Sequence, residues 1–252
     1  MKSAGYVDRE RAHFDRLAKE LGETGRDRLT PAAIRRLRRR AGEMARLLSA
    51  VACPRVLEIG VGAGAFSQVI LEALPDSQFV GCDISPNCIE IAREKYGKEY
   101  SNASFQVSDC SQLEYEANSF DCICGCSILH HLPHEECLTD IFRALKPGGF
   151  LWFSEPNMLN PIIALQKNVR IVGKWAGDTE DETAFFRWPL RNSLSQIGFV
   201  EAHLRPFDFL HPFTPRPLIR VTELLGRVLE HIPLAREFAG SLIIEARKPQ
   251  AT

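Results

Sequence analysis

The sequence predicts a doubly wound α/β domain, a parallel sheet of about seven strands with helices on both faces. Three observations predict it. From Arg55 onward, short apolar runs alternate with helical patterns, which is the texture of repeated βαβ units. The first run is joined to its helix by three closely spaced glycines, Gly60, Gly62 and Gly64. The second run ends on an acidic residue, Asp83, where such sheets bind ligands at the carboxyl ends of their strands.

Two helices are expected before the sheet. Phe14, Leu17, Ala18 and Leu21 recur at helical spacing within residues 8–21, until Gly22 and Gly25 interrupt them. In the second helix Thr30 is a natural N-cap and Pro31 suits the first helical position. Ile34, Leu37, Ala41, Met44, Leu48 and Val51 then form its apolar stripe. Arg35, Arg36, Arg38, Arg39 and Arg40 lie largely off that stripe and read as a solvated basic face, the alternative being a site for phosphate, nucleic acid or anionic lipid.

Strands are expected at residues 55–60, 78–83, 103–107, 121–126 and 150–154, each an apolar run of strand length. Phe66, Val69, Ile70 and Ala73 mark the helix after the first, and Ser85-Pro86 caps the next. Cys137, Leu138, Ile141, Phe142 and Leu145 share one face of a further helix, which Lys146-Pro-Gly-Gly149 stops. Residues 157–187 break this regularity as a polar and aromatic insertion. Beyond it come a helix near residues 189–198, strands at 199–205 and 241–246, and a helical segment at 215–231.

The chain of 252 residues suits one domain with lid segments. Thirty-one Lys and Arg against 32 Asp and Glu exclude the globally basic surface of a general nucleic-acid binder. The charges are unevenly spread, with thirteen basic and seven acidic residues in 1–50 against six and fifteen in 51–155. No run of 18 apolar residues is present and the first ten residues are too charged for a signal peptide, so a cytoplasmic location is expected. Eight cysteines fit that location as reduced thiols. Cys122, Cys124 and Cys126 look like metal ligands, but alternate residues of a strand sit about 6.6 Å apart and zinc thiolates need about 2.3 Å. They read as small core residues on one strand face, and no metal is expected.

The strongest motif is Val56-Leu-Glu-Ile-Gly-Val-Gly-Ala-Gly-Ala65. Its glycines clear the backbone and the helix N-terminus for a nucleotide-like ligand. Gly60, Gly62 and Ala65 also satisfy the dinucleotide pattern, and Asp83 suits ribose hydroxyls in either case. Glu58 distinguishes the two, because a carboxylate at the strand end is a poor neighbour for pyrophosphate and a good one for a cationic ligand.

With Glu58-Ile-Gly-Val-Gly-Ala-Gly64 the sequence resembles the class I S-adenosylmethionine-dependent methyltransferases. Phe79-Val-Gly-Cys-Asp-Ile-Ser85, Val107-Ser-Asp-Cys110, the stretch from Ser119 to Pro133 and Arg143-Ala-Leu-Lys-Pro-Gly-Gly149 are similar to the later motifs, in order and correctly spaced. His13-Phe-Asp-Arg-Leu-Ala18 resembles the opening of small-molecule members related to quinone-biosynthesis methyltransferases. The resemblance implies a Rossmann-like fold and S-adenosylmethionine as cofactor, leaving as S-adenosylhomocysteine. It implies a core at 53–156, an N-terminal helical lid at 1–52, an acceptor-side insertion at 157–198 and a C-terminal completion at 199–252.

Carried over, it puts Glu58 near the methionine ammonium, with Gly60, Gly62 and Gly64 against the ligand. Asp83 takes the ribose hydroxyls, Ile84 packs on adenine, Asp109 accepts from the adenine amino group, the Cys110 backbone faces the ring edge and Cys126 stands in the loop beside the methionine part, its backbone mattering more than its sulfur. His130, His131 and Glu155 are the catalytic candidates, His131 foremost as general base. Phe14, Asn157, Arg187 and Trp188 are the acceptor-side candidates.

The expected partner is a small-molecule acceptor, phenolic, sugar or lipid-linked, with no DNA. The whole looks broadly like bacterial methyltransferases of surface-glycan, lipid or natural-product pathways. Leu218, Val221, Leu225, Val228 and Ile232, widened by Ile219, Leu224 and Leu229, form an apolar helical stripe. It reads as a face packed on the sheet or lid, the alternatives being a homodimer face or a surface for a lipid-linked acceptor. The rival functions are an NAD(P)-dependent oxidoreductase, favoured by Ala65 but lacking a Tyr-x-x-x-Lys pair, a module that only holds the cofactor, and an RNA methyltransferase using the arginine helix.

Overall fold

The computed structural model describes residues 5–21, 30–176 and 183–251. Gly22 and Gly25, expected to interrupt the first helix, lie outside the described residues. Two helices, α1 (Tyr6–Leu21) and α2 (Pro31–Leu48), precede the sheet. The chain then forms β1 (Arg55–Ile59), α3 (Ala65–Ala73), β2 (Gln78–Asp83), α4 (Pro86–Ala92), β3 (Ala103–Val107) and β4 (Phe120–Cys126). There follow α5 (His134–Ala144), β5 (Leu145–Pro156), α6 (Pro161–Asn168), α7 (Arg170–Ala176), α8 (Arg187–Ile197) and β6 (Val200–Phe207). The chain ends with α9 (Ile219–His231), α10 (Pro233–Arg236) and β7 (Ser241–Arg247).

Seven strands form one sheet in the order β3-β2-β1-β4-β5-β7-β6. Strands β1 to β5 pair in parallel, while β7 runs antiparallel to both of its neighbours. The sheet is therefore mixed and not wholly parallel as expected. The excursion between β6 and β7 leaves and re-enters at one end of the sheet, where Phe207 pairs with Ser241 and the Gly240 N–H donates to the Asp208 carbonyl. A chain that returns to the end it left must run back along its neighbour.

Alternation along the strands divides the core into two layers. Leu57, Ile123, Leu151 and Phe153 face α5 and α8, whereas Val56, Cys122, Cys124 and Trp152 face α2 and α3. Cys122 and Cys124 are thus buried in one apolar layer, and burial pushes the Cys124 thiol well up. All eight cysteines are free thiols.

Local chemistry sets the helix starts. The Thr30 hydroxyl accepts from the Ala33 N–H at 3.1 Å and Pro31 opens α2, while Ser85 caps α4 and Asn160 caps α6 in the same way. The Lys146-Pro-Gly-Gly149 stretch follows the helix as expected but already belongs to β5, with a register shift opposite it in β4. The insertion after Pro156 is more regular than expected, since α6 and α7 occupy much of it and α8 begins at Arg187.

Two expectations for charged and apolar faces are corrected. The arginines of α2 are only in part a solvated face: Arg35 and Arg38 are exposed, but Arg36 pairs with Asp208 at 2.7 Å and Arg39 with Glu230 at 2.5 Å, both largely buried, and Arg35 reaches Glu223 at 2.8 Å. These bonds tie α2 to the β6–α9 region. The apolar stripe of α9 is not packed on the sheet either, for Glu223 and Gly226 are the buried residues of that helix. Among the described residues no helix is long and apolar enough to cross a membrane.

Candidate active site

The carboxyl ends of β1, β2 and β4 open into a cavity of about 540 Å³, within the size range of small-molecule sites. Glu58 lies in β1, 1% exposed, and its Oε2 accepts from the Ser67 hydroxyl at 2.6 Å. The chain then turns sharply, Gly60 and Gly62 both at positive φ. A Cβ on Gly60 would stand 2.4 Å from Ile128 Cγ1, so this turn closes only on glycine. Gly64 is outside the cavity lining. Its role is to start α3 at φ 85°, close against the Tyr96 ring.

Asp83 is aimed by the backbone. Its Oδ2 accepts from the Gly62 N–H and its Oδ1 from the Ser85 N–H, both at 2.9 Å. Burial nevertheless pushes this carboxyl above its ordinary value, outweighing those N–H donors. A buried carboxylate in that state is stabilised by further donors from a ligand. Ile84, Asp109, Cys110 and Cys126 line the same cavity, and Asp109 is fixed by the Ser111 N–H at 2.8 Å. Hydrogen bonding to Cys82 and burial push the Cys110 thiol well up, which makes it a poor nucleophile.

The two histidines are each held by a carboxylate. Glu155 Oε1 accepts from the N–H groups of Ile128 and Leu129, both at 3.0 Å, and Oε2 lies 2.7 Å from His130 Nδ1. Glu155 therefore pins the loop after β4 and the His130 ring, and it is not among the cavity residues. His131 Nδ1 lies 2.9 Å from Glu10 Oε2, and Phe14 meets the His131 ring edge-on at 5.5 Å. His130 and His131 line the cavity with their rings 4.2 Å apart.

Helix α1 roofs the cavity. It is tied down by Asp15 to the Ser85 hydroxyl and by Arg11 to the Ile84 carbonyl, and it lines the cavity with Tyr6, Glu10 and Phe14. Of the acceptor-side candidates only Phe14 is there. Asn157 is buried and donates to the carbonyls of Glu237 and Ala239, Arg187 pairs with Glu237 at 3.0 Å, and Trp188 is exposed beside Arg187. Asn157 and Arg187 brace the insertion against the segment after α10.

The sequence reading missed Glu10, Arg36 and Arg40. Arg40 is 5% exposed, lines the cavity, donates to Ser241 Oγ at 2.7 Å and lies 3.4 Å from Cys126 Sγ. Its Nε is buried without a hydrogen-bond partner. Arg36 and Arg40 share the single carboxylate of Asp208, at 2.7 and 3.7 Å, leaving one buried positive charge in excess. Their spacing of four residues, in step with Ala33 and Leu37, is the signal that places both on the cavity side.

Comparison with known proteins agrees with this arrangement. Residues 56–149 match the methyltransferase domain family. A demethylmenaquinone methyltransferase of Deinococcus radiodurans is 32% identical over 98 residues, 38% of this chain and 41% of that protein. This chain thus spans under half of that relative's length. Among solved structures, the complex between the Haloferax volcanii Trm112 methyltransferase activator and a methyltransferase holds a chain that aligns with a TM-score of 0.64 at 18% identity. That alignment covers 94% of this chain and 98% of the other. The phosphoethanolamine N-methyltransferase 2 of Haemonchus contortus, in complex with S-adenosyl-L-methionine, aligns with a TM-score of 0.59 at 22% identity, over 82% and 51% of the two chains. These likenesses show that the chain shares the fold of those two solved structures.

Proposed function

We propose that this chain, whose residues 56–149 match the methyltransferase domain family, is a class I, S-adenosylmethionine-dependent enzyme that moves a methyl group to a small-molecule acceptor. The observation that carries the reading is the convergence of Glu58, the glycine turn, Asp83 and Asp109 on one cavity roofed by α1.

The residues present fit the cofactor. Glu58 offers a buried carboxylate to the methionine ammonium, and Arg40, with its Nε unpartnered, offers a cation to the methionine carboxylate. Asp83 receives the ribose hydroxyls, Ile84 packs on the adenine, and Asp109 with the Cys110 backbone takes its edge. S-adenosylmethionine, when bound, supplies a methyl already activated by its sulfonium. What the protein adds is orientation, for which positioning alone accounts for up to roughly 7–11 kcal/mol of barrier. Glu58 also argues against the NAD(P) reading, because its carboxylate lines the cavity beside the glycine turn and is a poor neighbour for a pyrophosphate.

The acceptor occupies the part of the cavity under Tyr6, Phe14 and Leu37. His131 faces it and serves as general base where the acceptor needs deprotonation, a contribution of about 10²–10⁴-fold. With the hydrogen on Nδ1 donated to Glu10, the basic nitrogen of His131 is Nε2. Glu155 acts as a positioning residue, through His130 and the loop it pins. The RNA reading loses its main support, since Arg35, Arg36 and Arg39 are engaged by carboxylates of the same chain.

Incubation with methyl-tritiated S-adenosylmethionine and panels of phenolic, sugar and lipid-linked acceptors tests the reading. Label in an extractable small molecule, lost in Asp83→Ala, supports it. Label that enters only RNA contradicts it.

A further inference from the structure

Helix α9 is docked by its polar side. Glu223 and Gly226 are its buried residues, and Glu223 and Glu230 bind Arg35 and Arg39 of α2. The opposite side shows Val221, Leu224, Leu225 and Val228 to the outside, together with Leu218 just before the helix, each 54–65% exposed. A surface helix ordinarily turns such a stripe to the core. Here the ion pairs with α2 hold the helix the other way round.

The apolar surface continues beyond α9. Leu234 of α10 is 81% exposed and Phe238 is half exposed. The Phe238 carbonyl accepts from Asn160, which caps α6, and α6 buries none of its residues while exposing Ile162 and Leu165. Phe213, exposed just before α9, and Gln166 of α6 both line the cavity. The patch is thus continuous with the entrance to the site.

The charges on this patch have one sign. The three acidic residues between α9 and β7, Glu223, Glu230 and Glu237, are engaged by Arg35, Arg39 and Arg187. Arg216 and Arg220, both exposed, border the apolar stripe. Apolar residues bordered by cations complement an anionic lipid surface. A two-fold pairing sets the face against another copy of itself, whose acidic residues Glu223, Glu230 and Glu237 are already engaged by arginines of their own chain.

We propose that this face docks the protein on an anionic phospholipid bilayer, with the cavity entrance turned to the lipid. The inference stands independently of methyl transfer, because binding is read without cofactor or acceptor.

Flotation of the full-length protein with phosphatidylglycerol/phosphatidylcholine vesicles, and with phosphatidylcholine alone, tests it. The expected result is binding to the anionic vesicles, weakened at least about tenfold in Leu225→Asp and in the Arg216→Glu/Arg220→Glu double variant, with unchanged melting temperatures. Absence of binding to anionic vesicles, or binding that Leu225→Asp leaves intact, would overturn it. So would a solution dimer that Leu225→Asp dissociates without any vesicle binding, which gives the face to a second copy.

Discussion

The Nδ1 atom of His131, on the loop after β4, lies 2.9 Å from Oε2 of Glu10 on α1, across 121 residues of sequence. The helix that roofs the cavity therefore also orients the candidate base, and docking of α1 and assembly of the site are one event. A base held by a carboxylate at its far nitrogen is a recurrent means of fixing its tautomer.

Turnover separates this arrangement from a merely structural pair. His131→Ala is expected to lower kcat by about a hundredfold or more, and Glu10→Gln by about tenfold, with S-adenosylhomocysteine affinity within about twofold of wild type. Kinetics with the true acceptor, set beside calorimetry, check this. A loss confined to cofactor affinity would return both residues to a structural role.

Asp83→Ala is expected to weaken S-adenosylhomocysteine binding by about 2–3 kcal/mol, roughly thirty- to 150-fold in Kd, through loss of charge-assisted hydrogen bonds. The pH dependence follows from the raised carboxyl. The ionised form accepts from the ligand, so affinity falls as the pH falls through the raised value, starting above the ordinary aspartate range. Titration calorimetry across mildly acidic pH should show this loss in the wild type and not in Asp83→Asn.

Gly60→Ala places a Cβ 2.4 Å from Ile128 Cγ1 at a φ of 69°. The loop after β4 must shift, and a destabilisation of about 1–3 kcal/mol is expected together with loss of cofactor binding. Urea denaturation measures the first effect and calorimetry the second.

Asp208→Asn leaves the buried guanidiniums of Arg36 and Arg40 without their shared carboxylate, for an expected loss of about 3–5 kcal/mol. Burial alone would raise the Asp208 carboxyl, yet Arg36 and Arg40 hold it below its ordinary value. A depressed carboxyl contributes stability above its unfolded pKa, and that contribution disappears as the pH falls through the folded value. Acid unfolding below the ordinary aspartate range should therefore be less steep in Asp208→Asn than in the wild type.

What was legible in the sequence was what local pattern encodes. Apolar runs located all seven strands to within a few residues, and Glu58, Gly60, Gly62, Asp83 and Asp109 stood together because each ends or follows a strand of known order. Strand direction is not a local property, so the reversal of β7 was not legible. Periodicity showed which side of α9 is apolar, but not which side docks, and the arginines of α2 decided that from about 190 residues away. A basic helix face read alone looks solvated until its carboxylates are found. Glu10 escaped for the same reason, its partner His131 being distant in sequence. Asn157 and Arg187 follow the strand that ends at the site, but their bonds run to the segment after α10, and Trp188 is exposed beside Arg187.

The most direct test of the central claim is calorimetric titration of the purified protein with S-adenosylmethionine, S-adenosylhomocysteine and NADH in parallel. Binding of the first two near micromolar Kd, with none of NADH, is the predicted result. Binding of NADH alone would contradict it and make Glu58 a structural carboxylate in a dinucleotide site.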